Sequence, residues 1–177
     1  MFNRLVLLLL LLPVYTGALA RGTYQEPDAF LAEAFTNTLP EPAVIWLTGE
    51  RKDAVKQLLG HRYASLRVRY WLHGERSAWI LEEVGKDLPI TIGVVVDGGR
   101  LQYIKVLVFR ESRGEEIRHP FFTKQFTDAR LDADNNLDRH IDGISGATLS
   151  VRAMQKIARL ALYLDSEVRK QHVTSAP

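Results

Sequence analysis

Apolar residues change their spacing several times along the chain, and each change predicts a different element. Phe30, Leu31, Ala34 and Phe35 recur at helical spacing after Glu26-Pro27-Asp28. Pro27 suits a first helical turn, and Pro40 and Pro42 close the segment. Residues 44–47 (Val-Ile-Trp-Leu) read as a short strand or a buried connector. Thr48 then looks like an N-cap, with Glu50 in the first turn; Val55, Leu58 and Leu59 share one face of this second helix and Gly60 stops it. At Leu66 the period drops to two. Leu66, Val68, Tyr70 and Leu72 alternate with Arg67, Arg69 and Trp71, residues 73–77 form a turn, and Ala78 to Val84 is the return strand. Ile90, Ile92, Val94 and Val96 alternate again, and Asp97-Gly98-Gly99-Arg100 is a strong hairpin signal. Leu101 to Arg110 is a long strand with both faces largely apolar, which suggests a central strand covered on both sides. The last element is the clearest. Ala153, Met154, Ile157, Leu160, Ala161, Leu164 and Val168 fall on one side of a helical wheel, opposite Arg152, Gln155, Lys156, Arg159, Tyr163, Glu167 and Lys170. The pattern predicts an α+β domain: an antiparallel sheet of about four strands packed with helices, ending in a long amphipathic C-terminal helix.

The N-terminus follows a different logic. Arg4 precedes an uninterrupted Leu/Val run from Leu5 to Leu12, Pro13 breaks it, and Ala18-Leu19-Ala20 supplies a small-x-small cleavage pattern. This is the layout of a secretory signal, and the run is far short of the ~20 residues that span a bilayer. The chain then divides into a signal peptide (1–20), an N-terminal helical segment (21–65), a main domain (66–171, with 21–171 one compact unit) and a flexible tail (172–177). The expected location is the periplasm or another exported compartment, or the outer face of the inner membrane where the signal stays uncleaved. Composition adds exclusions. With 46% apolar and 25% charged residues, the 177-residue chain is an ordinary globular protein. A net charge of +2 gives no electrostatic case for nucleic acid. The absence of cysteine removes disulfides, thiolate metal sites and cysteine nucleophiles.

Candidate chemistry concentrates just before the last helix, in Asp142-Gly143-Ile144-Ser145-Gly146-Ala147-Thr148. Gly143, Ser145, Gly146 and Ala147 are small enough for the backbone to approach a ligand. Free N–H groups and the dipole of the helix that follows favour an anion such as phosphate, and Ser145 and Thr148 add hydroxyls that can be esterified. The plainer alternative is an N-cap, with Ser145 or Thr148 accepting from first-turn N–H groups.

These residues resemble the Asp-x-x-Ser/Thr-Gly/Ala-Ala-Thr motif of the FMN-binding domain family, found in flavin-carrying subunits of the sodium-pumping NADH:quinone reductase and the Rnf complex and in small exported flavoproteins. Glu111-Ser112-Arg113-Gly114 resembles the Glu-Thr/Ser-x-Gly element that follows the long strand in these domains. The resemblance covers about residues 88–165. It implies FMN bound covalently, through a phosphoester to Thr148. It also implies a recognition loop of Asp142, Gly143, Ser145, Gly146, Ala147 and Leu149, with Glu111, Ser112 and Gly114 near the flavin. A flavin transferase dependent on FAD and magnesium installs the group in that family. A phosphoester tether makes retention independent of affinity, which suits an exported protein with no cytosolic FMN to draw on, and the protein is left to tune the ring. Glu111, Ser112 and the N–H groups of the 143–149 loop are candidates for that tuning. The expected role is an electron-transfer module between a membrane-associated donor and another redox carrier. The alternatives are a cofactor-free exported binding or structural domain and a small-molecule reductase using the FMN.

Other signals are weaker. Asp132, Asp134, Asn136 and Asp138 imitate an EF-hand start, but Leu137 and Gly143 stand where that loop needs Gly and Glu. Gly143–Ala147 imitates a nucleophile elbow without its final Gly or a βαβ context. The histidines have no metal-ligand spacing. Arg62, Arg67 and Arg69 read as a solvated strand face or as a dock for an acidic partner.

Overall fold

The computed structural model describes residues 22–36 and 38–174. The signal peptide expected over 1–20 lies outside them, as do residues 175–177 of the expected tail.

Helix α1 (Pro27–Ala34) opens with Pro27 at its first position and buries Phe30, Leu31 and Ala34. Strand β1 (Ala43–Trp46) and helix α2 (Gly49–Leu59) follow, and Gly60 at φ +77° ends α2 in the left-handed conformation. Thr48 sits at the N-cap of α2 without a side-chain bond there. Four longer strands come next: β2 (Arg67–His73), β3 (Arg76–Val84), β4 (Pro89–Asp97) and β5 (Arg100–Val108). Short turns of helix at Glu115–Arg118, Pro120–Thr123 (α3) and Lys124–Phe126 lead through a loop to α4 (Thr148–Thr174). Residues 172–174 thus continue the last helix.

The sheet is antiparallel throughout, in the order β1-β2-β3-β4-β5. It has five strands where the periodicity gave about four. β1 is the addition: residues 44–47 read as a short strand or a connector, too short to show a period, and the pairing with β2 decides for the strand. The central placement expected for β5 also fails, because β5 is an edge strand. Both its faces are apolar because both are covered, not because it has two strand neighbours. Its outer edge meets irregular chain instead. Thr23 bridges Val108 and the Tyr24 N–H donates to the Leu107 carbonyl at 2.8 Å, while Leu101 exchanges bonds with Asp128 and Ala129.

One face of the sheet carries the main core. Val68, Tyr70, Trp79, Leu81, Ile92, Val94, Ile104 and Val106 pack there against α2, α4 and the 117–129 segment. Every residue on the predicted apolar side of the last helix lies in this core. α1 covers part of the opposite face, setting Phe30, Leu31, Ala34 and Phe35 on Trp71, Ala78, Val95 and Leu107. Gly93 on β4 exists for this contact, since a Cβ there would lie 2.6 Å from the Phe30 ring. The β4–β5 hairpin turns through Gly98 and Gly99, at φ +55° and +73°, the paired positive angles of a tight hairpin turn.

Candidate functional site

The loop before α4 delivers the chain to the helix without a polar cap. The Ala147 N–H donates to the Ile144 carbonyl at 3.0 Å, closing a turn in which Gly146 has φ +82°. A positive angle at the third residue is the feature that calls for glycine in a type II turn. The Val151 N–H then donates to the Ala147 carbonyl at 2.9 Å, so Ala147 stands at the N-cap. Alanine offers no side-chain acceptor. Among the described residues neither Ser145 nor Thr148 accepts from the first turn, and the Thr148, Leu149 and Ser150 N–H groups have no protein acceptor. The Thr148 side chain is exposed.

The Glu-Ser-x-Gly segment leaves β5 and lands on this same turn. Gly114 is buried with φ +90°, and a Cβ there would lie 2.7 Å from Ser150 Oγ and 3.3 Å from Ala147 Cβ. Absence of a side chain is therefore what lets the segment lie against the start of α4. Just upstream, Glu111 is turned the other way. Its Oε1 accepts the N–H groups of Lys86, Asp87 and Leu88 at 2.5, 2.7 and 2.9 Å. Partial burial opposes ionisation of Glu111, but these three bonds and the Lys86 charge outweigh it and hold the carboxyl below its ordinary range.

Three separate pieces of chain thereby enclose one cleft of about 520 Å³, lined by Lys86, Glu111, Ser112, Arg113 and residues 146–150. Of the expected site residues, Thr148, Gly146, Ala147, Leu149, Glu111 and Ser112 line it, and Gly114 lies behind Ser150 and Ala147. Asp142, Gly143 and Ser145 do not line it and are exposed. The Asp142 N–H donates to Gln125 Oε1 at 2.7 Å, and its carboxylate lies 3.5 Å from His140 Nε2. Lys86, Arg113 and Ser150 belong to the cleft and were not singled out from the sequence. Arg113 occupies the unspecified position of its motif and Ser150 follows Thr148 by half a turn, so both were within reach. Lys86 was not, because the fold alone brings the β3–β4 turn, whose Lys86 N–H donates to Glu111, to the cleft. The tryptophans and the sheet tyrosines lie elsewhere: Tyr70 and Trp79 stack in the core at 5.3 Å, and none of Trp46, Trp71 and Tyr103 lines the cleft.

Chemically, the cleft combines unpaired helix N–H groups, two cationic side chains and the hydroxyls of Ser112, Thr148 and Ser150 around an exposed Leu149. That donor set suits a phosphate, with an apolar surface beside it. The imitation EF-hand loop uses its oxygens internally, Asp132 Oδ1 accepting the Asp134 and Asn136 N–H groups. Residues 85–163, from the β3–β4 turn into α4, match the family model of the FMN-binding domain. The chain has no match among curated proteins and none among solved structures.

Proposed function

We propose, for a chain whose residues 85–163 belong to the FMN-binding domain family, that it is an exported flavoprotein carrying FMN as a phosphoester on Thr148 and passing electrons between a membrane-associated donor and another redox carrier. The residues present fit the group. A volume of about 520 Å³ lies within the roughly 300–1,000 Å³ usual for cofactor pockets. The phosphate end finds the N–H groups of Thr148, Leu149 and Ser150 at the positive end of the α4 dipole, with Lys86 and Arg113 as counter-charges. Leu149, 43% exposed at the cleft, offers apolar surface to a ring. When bound, the flavin supplies reversible electron uptake.

Attachment balances with FAD as donor. The Thr148 hydroxyl oxygen forms the new P–O bond, AMP leaves, and the hydroxyl proton is released, so the chain gains FMN less one water. A flavin transferase with bound magnesium serves as the catalyst. The Thr148 side chain is well placed as its substrate, being exposed and making no hydrogen bond among the described residues.

The observation that carries this reading is the convergence of both motif segments on a single cleft at an uncapped helix start. The test is intact mass and absorption of the protein from its native compartment. We expect a gain of FMN less water on the peptide containing Thr148. We expect its complete loss in Thr148→Ala with stability within about 0.5 kcal/mol of wild type, as for a surface site. An unmodified mass after co-expression with a competent exported flavin transferase overturns the proposal.

A further inference from the structure

Glu111 is the only carboxylate lining the cleft among the described residues, and its position beside the proposed flavin makes its charge the obvious candidate for tuning the ring. Its bonds point to a different part. Successive N–H groups converging on one point form an anion-binding nest. The β3–β4 turn offers such a nest through Lys86, Asp87 and Leu88, and Glu111 Oε1 fills it. The turn is closed by the Gly85 N–H donating to the Leu88 carbonyl at 3.1 Å. Gly85 is small for the same reason: a Cβ there would lie 2.9 Å from Glu111 Oε1 and 3.1 Å from Ile90 Cδ1. Within this turn Lys86 is the residue that lines the cleft.

We infer that Glu111 is a positioning residue: its carboxylate clasps the β3–β4 turn and thereby keeps Lys86 on the cleft wall, so that the Lys86 ammonium supplies the charge the flavin meets there. This rests on the reading of the cleft as the flavin site. The two roles open to Glu111 differ in sign. A carboxylate acting directly on the ring disfavours added electrons, so its neutralisation raises the midpoint potential. A carboxylate acting through Lys86 does the reverse, because its loss lets a nearby positive charge move away.

The experiment measures the midpoint potential of flavin-loaded protein together with amide hydrogen exchange of the same chain without flavin. Lys86→Gln is expected to lower the potential. Glu111→Ala, which removes the acceptor from the nest, is expected to lower it too, and to add nothing in the Lys86→Gln background. Gly85→Ala keeps both charges while crowding the carboxylate out of the nest, so it also lowers the potential and covers the case in which the Glu111 variant fails to fold. In flavin-free protein the 86–88 amides should lose at least about tenfold of their protection in either the Glu111 or the Gly85 variant, as expected when a local opening becomes easier. A rise in potential on Glu111→Ala, an unchanged potential, or a shift that persists without Lys86 overturns the inference; so does full protection of the amides. Wild-type protein without flavin, but with the exchange difference, overturns the proposed function while leaving the clasp in place.

Discussion

Gly114 shows how a single missing side chain can hold the two halves of the cleft together. Its φ of +90° is a conformation that L side chains rarely adopt, and the space a Cβ needs is taken by Ser150 Oγ at 2.7 Å. Gly114→Ala therefore meets both backbone strain and a contact, and the expected loss of stability is about 1–3 kcal/mol. The clash lifts the 111–114 segment off the first turn of α4, so flavin loading should fall along with stability. Urea denaturation and the 450 nm absorbance of the purified variant measure the two effects. Ser150→Gly in the same chain removes the obstructing hydroxyl and should recover part of the loading without curing the strain. At Gly146, by contrast, a Cβ meets open space and only the φ of +82° resists substitution. Gly146→Ala should accordingly cost less than Gly114→Ala, on the order of 1 kcal/mol.

At the level of elements, α4 is fixed to the sheet by two buried carboxylates as well as by its apolar face. Glu83 on β3 is 4% exposed and receives Lys156 Nζ at 2.9 Å and His61 Nε2 at 2.8 Å. Asp165 on α4, 1% exposed, accepts Ser77 Oγ at 2.6 Å and Arg169 Nε at 2.8 Å. Asp165→Ala leaves the buried Ser77 hydroxyl without its acceptor and leaves the Arg169 guanidinium to Glu75 alone, a loss expected at about 1–3 kcal/mol in urea unfolding. His61 gives a pH signature. Its hydrogen bond to Glu83 raises its pKa above the ordinary 6.5, helped by the Arg62 carbonyl and the Glu83 charge and opposed by burial and Lys156. Both ring nitrogens face oxygen acceptors, which only the protonated ring satisfies as a double donor. The folded-state value is the higher one, so the added stability is complete below about pH 6.5 and fades as pH rises through the raised value. With half of the His61 side chain in solvent the effect is modest. It should appear as a falling stability above pH 6.5 that His61→Gln flattens. The apolar side of α4 was legible because seven well-spaced positions agree on one direction. Glu83 and Asp165 were not, because periodicity counts a carboxylate as solvent-facing and cannot see the partner that brings it inside. The site divides the same way. The motif before α4 and Glu-Ser-x-Gly are contiguous strings and could be read. The cleft they share, the exclusion of Asp142 and Ser145 from it, and the arrival of Lys86 are products of the fold.

On the scale of the whole molecule, the sheet has an edge problem at β5, and the start of the described chain solves much of it. Gly22, Tyr24 and Gln25 form a strap along this strand: the Phe109 N–H donates to the Gly22 carbonyl at 2.8 Å, and Tyr24 and Gln25 donate to Leu107. The Tyr24 hydroxyl then reaches Glu115 Oε2 at 3.0 Å, and its ring lies under the Arg118 guanidinium at 4.6 Å. An apolar strand with open hydrogen-bonding groups is a template for association. The strap removes that template and anchors the segment that follows Gly114. It also sets a constraint on processing. Cleavage after Ala20, as proposed for the export signal, leaves Gly22 and everything beyond it intact, whereas trimming a few residues further removes the strap. Gly22 has φ +88° and no room for a side chain, since a Cβ would lie 2.1 Å from the Phe109 carbonyl oxygen. Gly22→Ala should therefore imitate a chain starting at Gln25. Both should show concentration-dependent association by light scattering and reduced flavin loading, while a chain starting at Arg21 stays monodisperse and loads fully. Equal behaviour of all three chains would mean that β5 is guarded by its bonds to Asp128 and Ala129 alone, and that the strap contributes nothing to the cleft.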